Sequence, residues 1–258
     1  ATYSQDKFWD GRRESLETQV LDPFLNTQEH GLRNHDELLQ KLRESTDYNK
    51  LWQRAFGSTV NSAELAHLAH ALSAYVRNLK QTNTRLDRYL FRREETAFTL
   101  TERRGLELFR GRAQCTTCHL IGKTEALLTD GDYHSLALGF DRLAAQLPQL
   151  IKTVTATPRQ EIDRLISTDA KVAALGRFVV TLRPADIGKF KTPSLRNVAD
   201  TAPYMHDGSI ATLEEAIERE VYYRGKTLGR PVVLSATERA DLVALLRALT
   251  DVAPPPPQ

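Results

Sequence analysis

Cysteine is nearly absent from this sequence. Two thiols, Cys115 and Cys118, occur in 258 residues, so no disulfide framework supports the fold. No apolar run approaches the roughly 18 residues that a membrane span needs. Residues Ala1 to Asp10 lack the basic and then apolar pattern of a signal peptide, so an exported form is expected to be processed or trimmed. A dominant charge of one sign is missing too. The 35 basic and 33 acidic residues leave a formal net charge of +2, which points to neither nucleic acid nor a membrane surface. No repeat of fixed period is found, and no alternating apolar run is long enough to anchor a sheet. What remains, 41% apolar and 26% charged residues, is an ordinary globular composition, enough for one large or two modest domains.

The periodicity that is present is helical. Asn61 to Leu79 sets Leu65, Leu68, Leu72, Tyr75, Val76 and Leu79 on one face. Thr101 is expected to cap a short helix carrying Leu106 and Phe109, which leads into the cysteine pair. Thr212-Leu-Glu-Glu215 and Ser235-Ala-Thr-Glu238 each match a capping box; the first helix is expected to run to about Tyr223, the second to about Leu249. Ala253 to Gln258, with four prolines, is a tail that cannot join a core helix. Gly122 to Gly139 and Pro184 to Gly208 are loops with turn chemistry, and loops of this length usually line something. The charged stretch Arg92-Arg-Glu-Glu95 suggests a boundary, with an N-terminal helical unit over 1–95 and a second domain over 96–258.

Cys115-Thr-Thr-Cys118-His119 is the chemical centre. Two intervening residues let both sulfurs reach one porphyrin edge and add to the vinyl groups, while His119 takes the iron as proximal ligand. A thioredoxin-like redox pair would need a βαβ setting, and a four-cysteine zinc site a second pair; the sequence offers neither. The residues alone leave the sixth iron ligand open among Met205, His134, His206, Glu220, Tyr222 and Tyr223. Each also has an ordinary role as core filler, packing aromatic or solvated helix residue.

Several segments resemble the bacterial dihaem cytochrome c peroxidase and MauG family. They are Phe8-Trp-Asp-Gly-Arg12 with Ser15-Leu-Glu17, Gly105-Leu-Glu-Leu-Phe109 running into Cys115, Thr129-Asp-Gly131, Phe190-Lys-Thr-Pro-Ser-Leu-Arg-Asn197, Thr201-Ala-Pro-Tyr-Met-His-Asp-Gly-Ser209 and Thr212-Leu-Glu-Glu215. The resemblance covers nearly the whole chain. It implies an all-α protein: a cytochrome c-like haem domain plus an N-terminal helical unit resembling part of the family's peroxidatic domain. It also implies a tryptophan between two haems, here Trp9. A glutamine, a proline and a glutamate follow on the open face of the peroxide-reacting haem at the spacings occupied by Gln19, Pro23 and Glu29. Arg196 resembles a loop arginine that pairs with haem propionates. Backbone carbonyls that map to Thr201 and Pro203 would belong to a calcium site.

The pattern departs from the family in two places. The family's first haem motif should lie upstream of Trp9, and the chain begins at Ala1. The expectation is therefore a portion of a longer dihaem protein carrying a second haem; a separate polypeptide with the first haem domain, or a monohaem relative, are the alternatives. The sixth ligand of the His119 haem, methionine in the peroxidases and tyrosine in MauG, lies fourteen residues after the family's motif histidine. Counting from His206 reaches Glu220, whereas aligning on Arg224-Gly225 reaches Tyr222. Tyr222 is ranked first, then Glu220 and Tyr223, with Met205 last. The resemblance implies a periplasmic oxidoreductase that uses hydrogen peroxide, with a small redox protein as donor or a protein as substrate. The competing function is a monohaem electron-transfer protein without peroxidase activity.

Overall fold

The computed structural model describes residues 5–60 and 64–251. Fourteen α-helices account for the regular structure among them: α1 Leu16–Gln19, α2 Asp22–Leu25, α3 His35–Glu44, α4 Thr46–Phe56, α5 Leu65–Asn78, α6 Arg85–Phe91, α7 Leu100–Arg110, α8 Phe140–Leu143, α9 Leu147–Ala156, α10 Ile162–Thr168, α11 Ala170–Ala173, α12 Phe178–Thr181, α13 Leu213–Thr227 and α14 Ala236–Arg247. The one sheet described is a two-residue antiparallel pair, β1 Tyr133–His134 with β2 Phe190–Lys191, in which Tyr133 faces Lys191 and His134 faces Phe190. It ties the two long loops together. The fold is all-α.

Two compact units share the chain: residues 1–80 with 143–183, and residues 81–142 with 184–258. The contacts therefore divide the chain at three points, not at the single break after residue 95 that the charged stretch suggested. The reason is packing. Leu86 of α6 is buried in one cluster with Phe98, Leu106 and Leu249, and Thr84 forms a bridge with Asp251. The segment 143–183 in turn joins the first unit, where Arg13 pairs with Asp163 at 2.5 Å.

The first unit has a small core of its own. Leu38, Leu39 and Leu42 of α3 meet Trp52 of α4, Val60 and Leu68 of α5, with Phe24, Leu32, Phe56 and Leu72 packed against them. Asn34 caps α3 by accepting from the Glu37 N–H. Ser45 caps α4, which stops at Gly57 in the left-handed region, φ +65°. The helix read from Asn61 is observed from Leu65; residues 61–63 lie outside the described residues, as does the proline tail at 253–258.

The second unit is organised by α7 and α14. The cap of α7 is Thr99, with a full capping box to Glu102, not Thr101; Thr101 sits inside the helix and lacks the glutamate three residues on. Both other capping boxes form as read, at Thr212/Glu215 and Ser235/Glu238. The first helix continues past Tyr223 to Thr227, and the second ends at Arg247. Arg104 of α7 makes a two-pronged pair with Asp241 of α14, at 2.9 and 2.8 Å. At Gly105 the helices touch backbone to backbone. A Cβ there would stand 2.2 Å from the Asp241 carbonyl oxygen and 2.9 Å from Leu245 Cβ. Backbone cannot step aside, so Gly105→Ala must prise α7 from α14. We expect a loss of about 1–3 kcal/mol, read by urea unfolding, with no such loss for Glu64→Ala, whose side chain is exposed and makes no cap bond.

Candidate functional site

The attachment turn is built from the end of α7. Leu106 and Phe109 hold the helix in the core, and it stops at Gly111, where a Cβ would lie 2.8 Å from the Glu107 oxygen. Gln114, at φ +53°, turns the chain by adopting the left-handed region. The N–H groups of Cys118 and His119 then both donate to the Cys115 carbonyl, at 3.3 and 2.9 Å. One short turn thus carries both sulfurs and the imidazole.

The His119 ring is oriented by its other nitrogen. Nδ1 lies 2.8 Å from the Leu128 carbonyl oxygen. A carbonyl only accepts, so Nδ1 carries the proton and Nε2 keeps a free lone pair. Metal-bound histidines are commonly fixed this way, since the second hydrogen bond sets both tautomer and ring direction. Burial lowers the imidazole's pKa, partly opposed by this hydrogen bond, and favours the neutral ring that a metal needs. Leu128 is itself held, with φ +56° and its N–H on the Leu120 carbonyl at 2.9 Å.

The two thiols differ. Burial, reinforced by the nearby Glu220 carboxylate, pushes Cys115 up to about 12. His134 holds Cys118 below the usual thiol range, with Arg224 adding to the effect at 3.4 Å from Sγ. Cys118, Asp130 and His134 place one donor atom each within 4.8 Å of one another, and His134 Nε2 sits 2.7 Å from Asp130. Cys118 first, then Asp130, raise His134 to about 9. Arg224 and Asp130 were not singled out from the sequence as site residues. The signal for Arg224 was present: it follows Glu220 by four residues, one helical turn away on the same face.

That face settles what α13 presents. Leu213, Ala216, Ile217 and Val221 are buried, and Glu220 and Arg224 continue the same stripe toward the cysteines. Burial raises the Glu220 carboxyl, against the pull of Arg224 and His134. Tyr222 lies roughly half a turn away and is 58% exposed, ring-to-ring with Tyr223 at 5.2 Å. Met205 sits in a loop at φ +71°, and His206 stacks on Phe190 at 3.6 Å. Arg196 is engaged by Asp87 in a buried bidentate pair at 2.7 and 2.8 Å, and by the Ala126 carbonyl at 2.8 Å. Its strongest donors therefore serve the fold.

The other sequence-derived residues lie in the first unit. Trp9 tips a hairpin closed by the Lys7–Arg13 bridge and is 40% exposed. Gln19 ends α1, Pro23 opens α2, and Glu29 is exposed, accepting from Asn26 Nδ2 at 2.7 Å. Pro23 and Glu29 share one closed loop, with the Pro23 carbonyl taking the His30 N–H at 3.3 Å. The cis Ala202–Pro203 peptide follows Thr201 directly.

Two thiols on one turn beside a histidine with a committed Nδ1 and an available Nε2 fit a covalently attached haem. Fold and site together define a c-type haem protein of the all-α, cytochrome c-like class. The profile described as di-haem cytochrome c peroxidase matches residues 1–96. A cytochrome-c peroxidase, IdrP2, of Denitromonas iodatirespirans is 30% identical over 94% of this chain and 64% of its own. IdrP1 of the same organism, also named a cytochrome-c peroxidase, is 31% identical over 98% of this chain and 67% of its own. A solved MauG-like protein associated with microbial copper homeostasis superposes with a TM-score of 0.72 at 30% identity, covering 96% of this chain and 73% of that one. The chain belongs to the dihaem cytochrome c peroxidase and MauG family. It spans between about half and two thirds of the length of the curated relatives it matches. No described helix is long and apolar enough to cross a membrane.

The thiol asymmetry has a chemical consequence in the haem-free chain. At pH 8 about one Cys115 in ten thousand would be thiolate, given a pKa of about 12. Iodoacetamide should therefore alkylate Cys118 first, at least about tenfold faster. Because the Cys118 pKa is lowered, its labelling sets in below the pH of an ordinary thiol, and His134→Ala should move that onset upward. Peptide mass mapping over a pH series reads both.

Proposed function

We propose that this chain forms part of an exported, periplasmic haem oxidoreductase that reduces hydrogen peroxide. The observation that carries the reading is the attachment turn: Cys115 and Cys118 beside a His119 whose Nδ1 is committed to Leu128, in a chain of peroxidase lineage. The overall reaction takes one peroxide, two protons and two electrons to two waters, with a small redox protein as electron donor. Transfer of oxidising equivalents to a protein substrate is the MauG-like variant of the same chemistry.

Bound haem supplies one-electron redox chemistry at the iron held by His119. The chain's own residues do the rest. Cys115 and Cys118 fix the group covalently, and His119 offers Nε2 in a fixed direction. Glu29 is assigned the general acid–base role, moving a proton from one peroxide oxygen to the other. Gln19 orients the peroxide through its amide, and Pro23, lacking an N–H, keeps the open coordination position clear by shape. Trp9 relays electrons. A second haem would face these four residues, and calcium would draw on the Thr201 and Pro203 carbonyls.

For the sixth position on the His119 haem we reverse the order read from the sequence and place Glu220 ahead of Tyr222. Glu220 shares a helix stripe with Arg224, whose guanidinium reaches Cys118, whereas Tyr222 is turned toward solvent. A carboxylate there would favour ferric iron in a bound haem. Glu220→Gln should change the optical and paramagnetic resonance spectra of the ferric protein, and Tyr222→Phe should leave them as in the wild type. Identical spectra for Glu220→Gln would remove the carboxylate from the iron.

A second reading has one observation in its favour. The 258 residues contain a single attachment motif, which suits a monohaem electron carrier. Intact mass with pyridine haemochrome quantitation on protein from its producing cell separates the two. Two haems, and a drop in peroxide turnover of about 10²–10⁴-fold in Glu29→Gln, support the peroxidase. One haem and no turnover support the carrier.

A further inference from the structure

Trp9 is held by residues far from it in sequence, and their arrangement exceeds what a surface hairpin needs. The Lys7 N–H donates to the Arg13 carbonyl at 2.7 Å, closing a tight turn in which Phe8 adopts φ +65° and Gly11 φ +73°. The two carbonyls immediately after the indole, those of Asp10 and Gly11, both accept from Arg177 Nη1 at 3.0 Å. Arg177 also pairs with Asp6 at 3.5 Å, so one guanidinium grips both strands of the hairpin. On the other side Asp163, from α10, stands 3.5 Å from Arg12 Nε and 2.5 Å from Arg13 Nη2. Arg12 is further fixed by Asp10 at 2.9 Å and by the Phe8 ring, 3.6 Å beneath its guanidinium. Asp22 accepts from Arg13 Nε at 2.8 Å and shares Nη2 with Asp163 at 3.1 Å.

Every backbone turn around Trp9 is thereby tied to the 143–183 segment, while the indole itself is 40% exposed. A hairpin anchored for stability alone would bury its largest side chain, because that burial is the most favourable term available to it. Here ion pairs and carbonyl contacts do the anchoring, and the aromatic ring is only partly covered. Presentation of the ring is what the network fixes.

We propose that Arg177 and Asp163 are positioning residues for Trp9, clamping the Lys7–Arg13 hairpin so that the indole is held in one place. The proposal rests on the reading of Trp9 as an electron relay. In that role one electron leaves the indole toward the peroxide-reacting site and one replaces it from the reduced side, so the ring ends each cycle unchanged. The clamp fixes the position of the indole within its own unit.

The test uses the haem-loaded protein with two readouts. Hydrogen exchange reports the hairpin directly: Arg177→Leu and Asp163→Asn should speed exchange of the Lys7 amide by about tenfold or more, leaving α3–α5 amides unchanged. Arg177→Lys, which keeps a donor for one carbonyl, should restore part of the protection. Stopped-flow absorbance of the His119 haem after a peroxide pulse reports the relay. Its oxidation should slow about tenfold in Arg177→Leu with KM for peroxide unchanged, and Trp9→Phe combined with Arg177→Leu should be no slower than Trp9→Phe alone. Unchanged exchange in both clamp variants overturns the clamp. Loosened exchange with an undiminished rate, in a protein that Trp9→Phe does slow, overturns the positioning role. A Trp9→Phe protein as fast as wild type overturns the relay reading itself, and with it the proposal, whatever the exchange data show.

Discussion

The contact between α7 and α14 at Gly105 is the constraint on which the unit carrying Cys115, Cys118 and His119 depends. Two helices can approach until a side chain intervenes, and at Gly105 none does. The close crossing fixes α7 along its whole length through Leu106, Phe109, Leu242, Leu245 and Leu246. It also brings the Nε and Nη2 donors of Arg104 within reach of the two Asp241 carboxylate oxygens. Because the attachment turn begins within four residues of the end of α7, the sulfurs inherit the position of a helix that cannot slide. A covalent cofactor with two tethers and an axial ligand tolerates little play, and a packed helix end supplies that rigidity better than a loop.

The remaining wall of the site is made of loops, and each is tied to the helical frame by buried polar groups. The Leu128 carbonyl that aims His119 belongs to the stretch running from Ala126, buried like Leu128, to Thr129, whose hydroxyl donates to the Thr192 carbonyl at 2.7 Å. Arg196 links the second loop to the first by donating to the Ala126 carbonyl, and to α6 through Asp87. Burial alone would raise the Asp87 carboxyl, but Arg196 and Thr84 more than offset it and hold it below the usual range. The sign follows: this pair contributes stability above the unfolded carboxyl pKa and loses it as pH falls through the lower folded value. A buried pair with both partners in place is close to neutral for stability, while either partner alone is costly. Such a network therefore specifies a geometry more than it stabilises one, and the geometry in question is the path of the Leu128 carbonyl.

Legibility in the sequence followed the range of the interactions. Local ones were readable. The capping boxes at Thr212 and Ser235 formed as written, because three residues suffice to satisfy the end of a helix. The Cys115–His119 motif forms one short turn, as residues so close in sequence must. At α7 the same rule pointed one turn element too late, since Thr101 and Thr99 are both threonines and only the glutamate at 102 distinguishes them. The return of residues 143–183 to the first unit was not readable, because it depends on Arg13 meeting Asp163 and Arg177 meeting Asp10 across some 150 residues. Nothing local marks those partners. The orientation of α13 lay in between: its apolar stripe predicts which face turns inward, and Glu220 falls on that stripe while Tyr222 does not. Alignment on Arg224-Gly225 pointed to Tyr222, which is exposed, whereas helical phase points to Glu220.

Backbone strain follows the same division of labour. Phe8, Gln114, Leu128, Asn197 and Met205 all take φ between +53° and +71° without being glycine. An L-residue in the left-handed region costs of order 1 kcal/mol, and a bulky phenylalanine or leucine is an unfavoured choice there. Such conformations persist only where surrounding contacts over-determine them. Four of these five show such contacts. Phe8 is gripped beside Trp9 by the arginine network, Gln114 turns the chain into Cys115, Leu128 delivers its carbonyl to His119, and Asn197 takes its N–H to the Leu249 carbonyl at 3.0 Å. Glycine at these sites would relieve the strain and widen the choice of conformations open to the turn. A residue that fits only one strained conformation, fixed by contacts elsewhere, gives the turn a single answer, which is what a site that must hold a rigid planar cofactor requires.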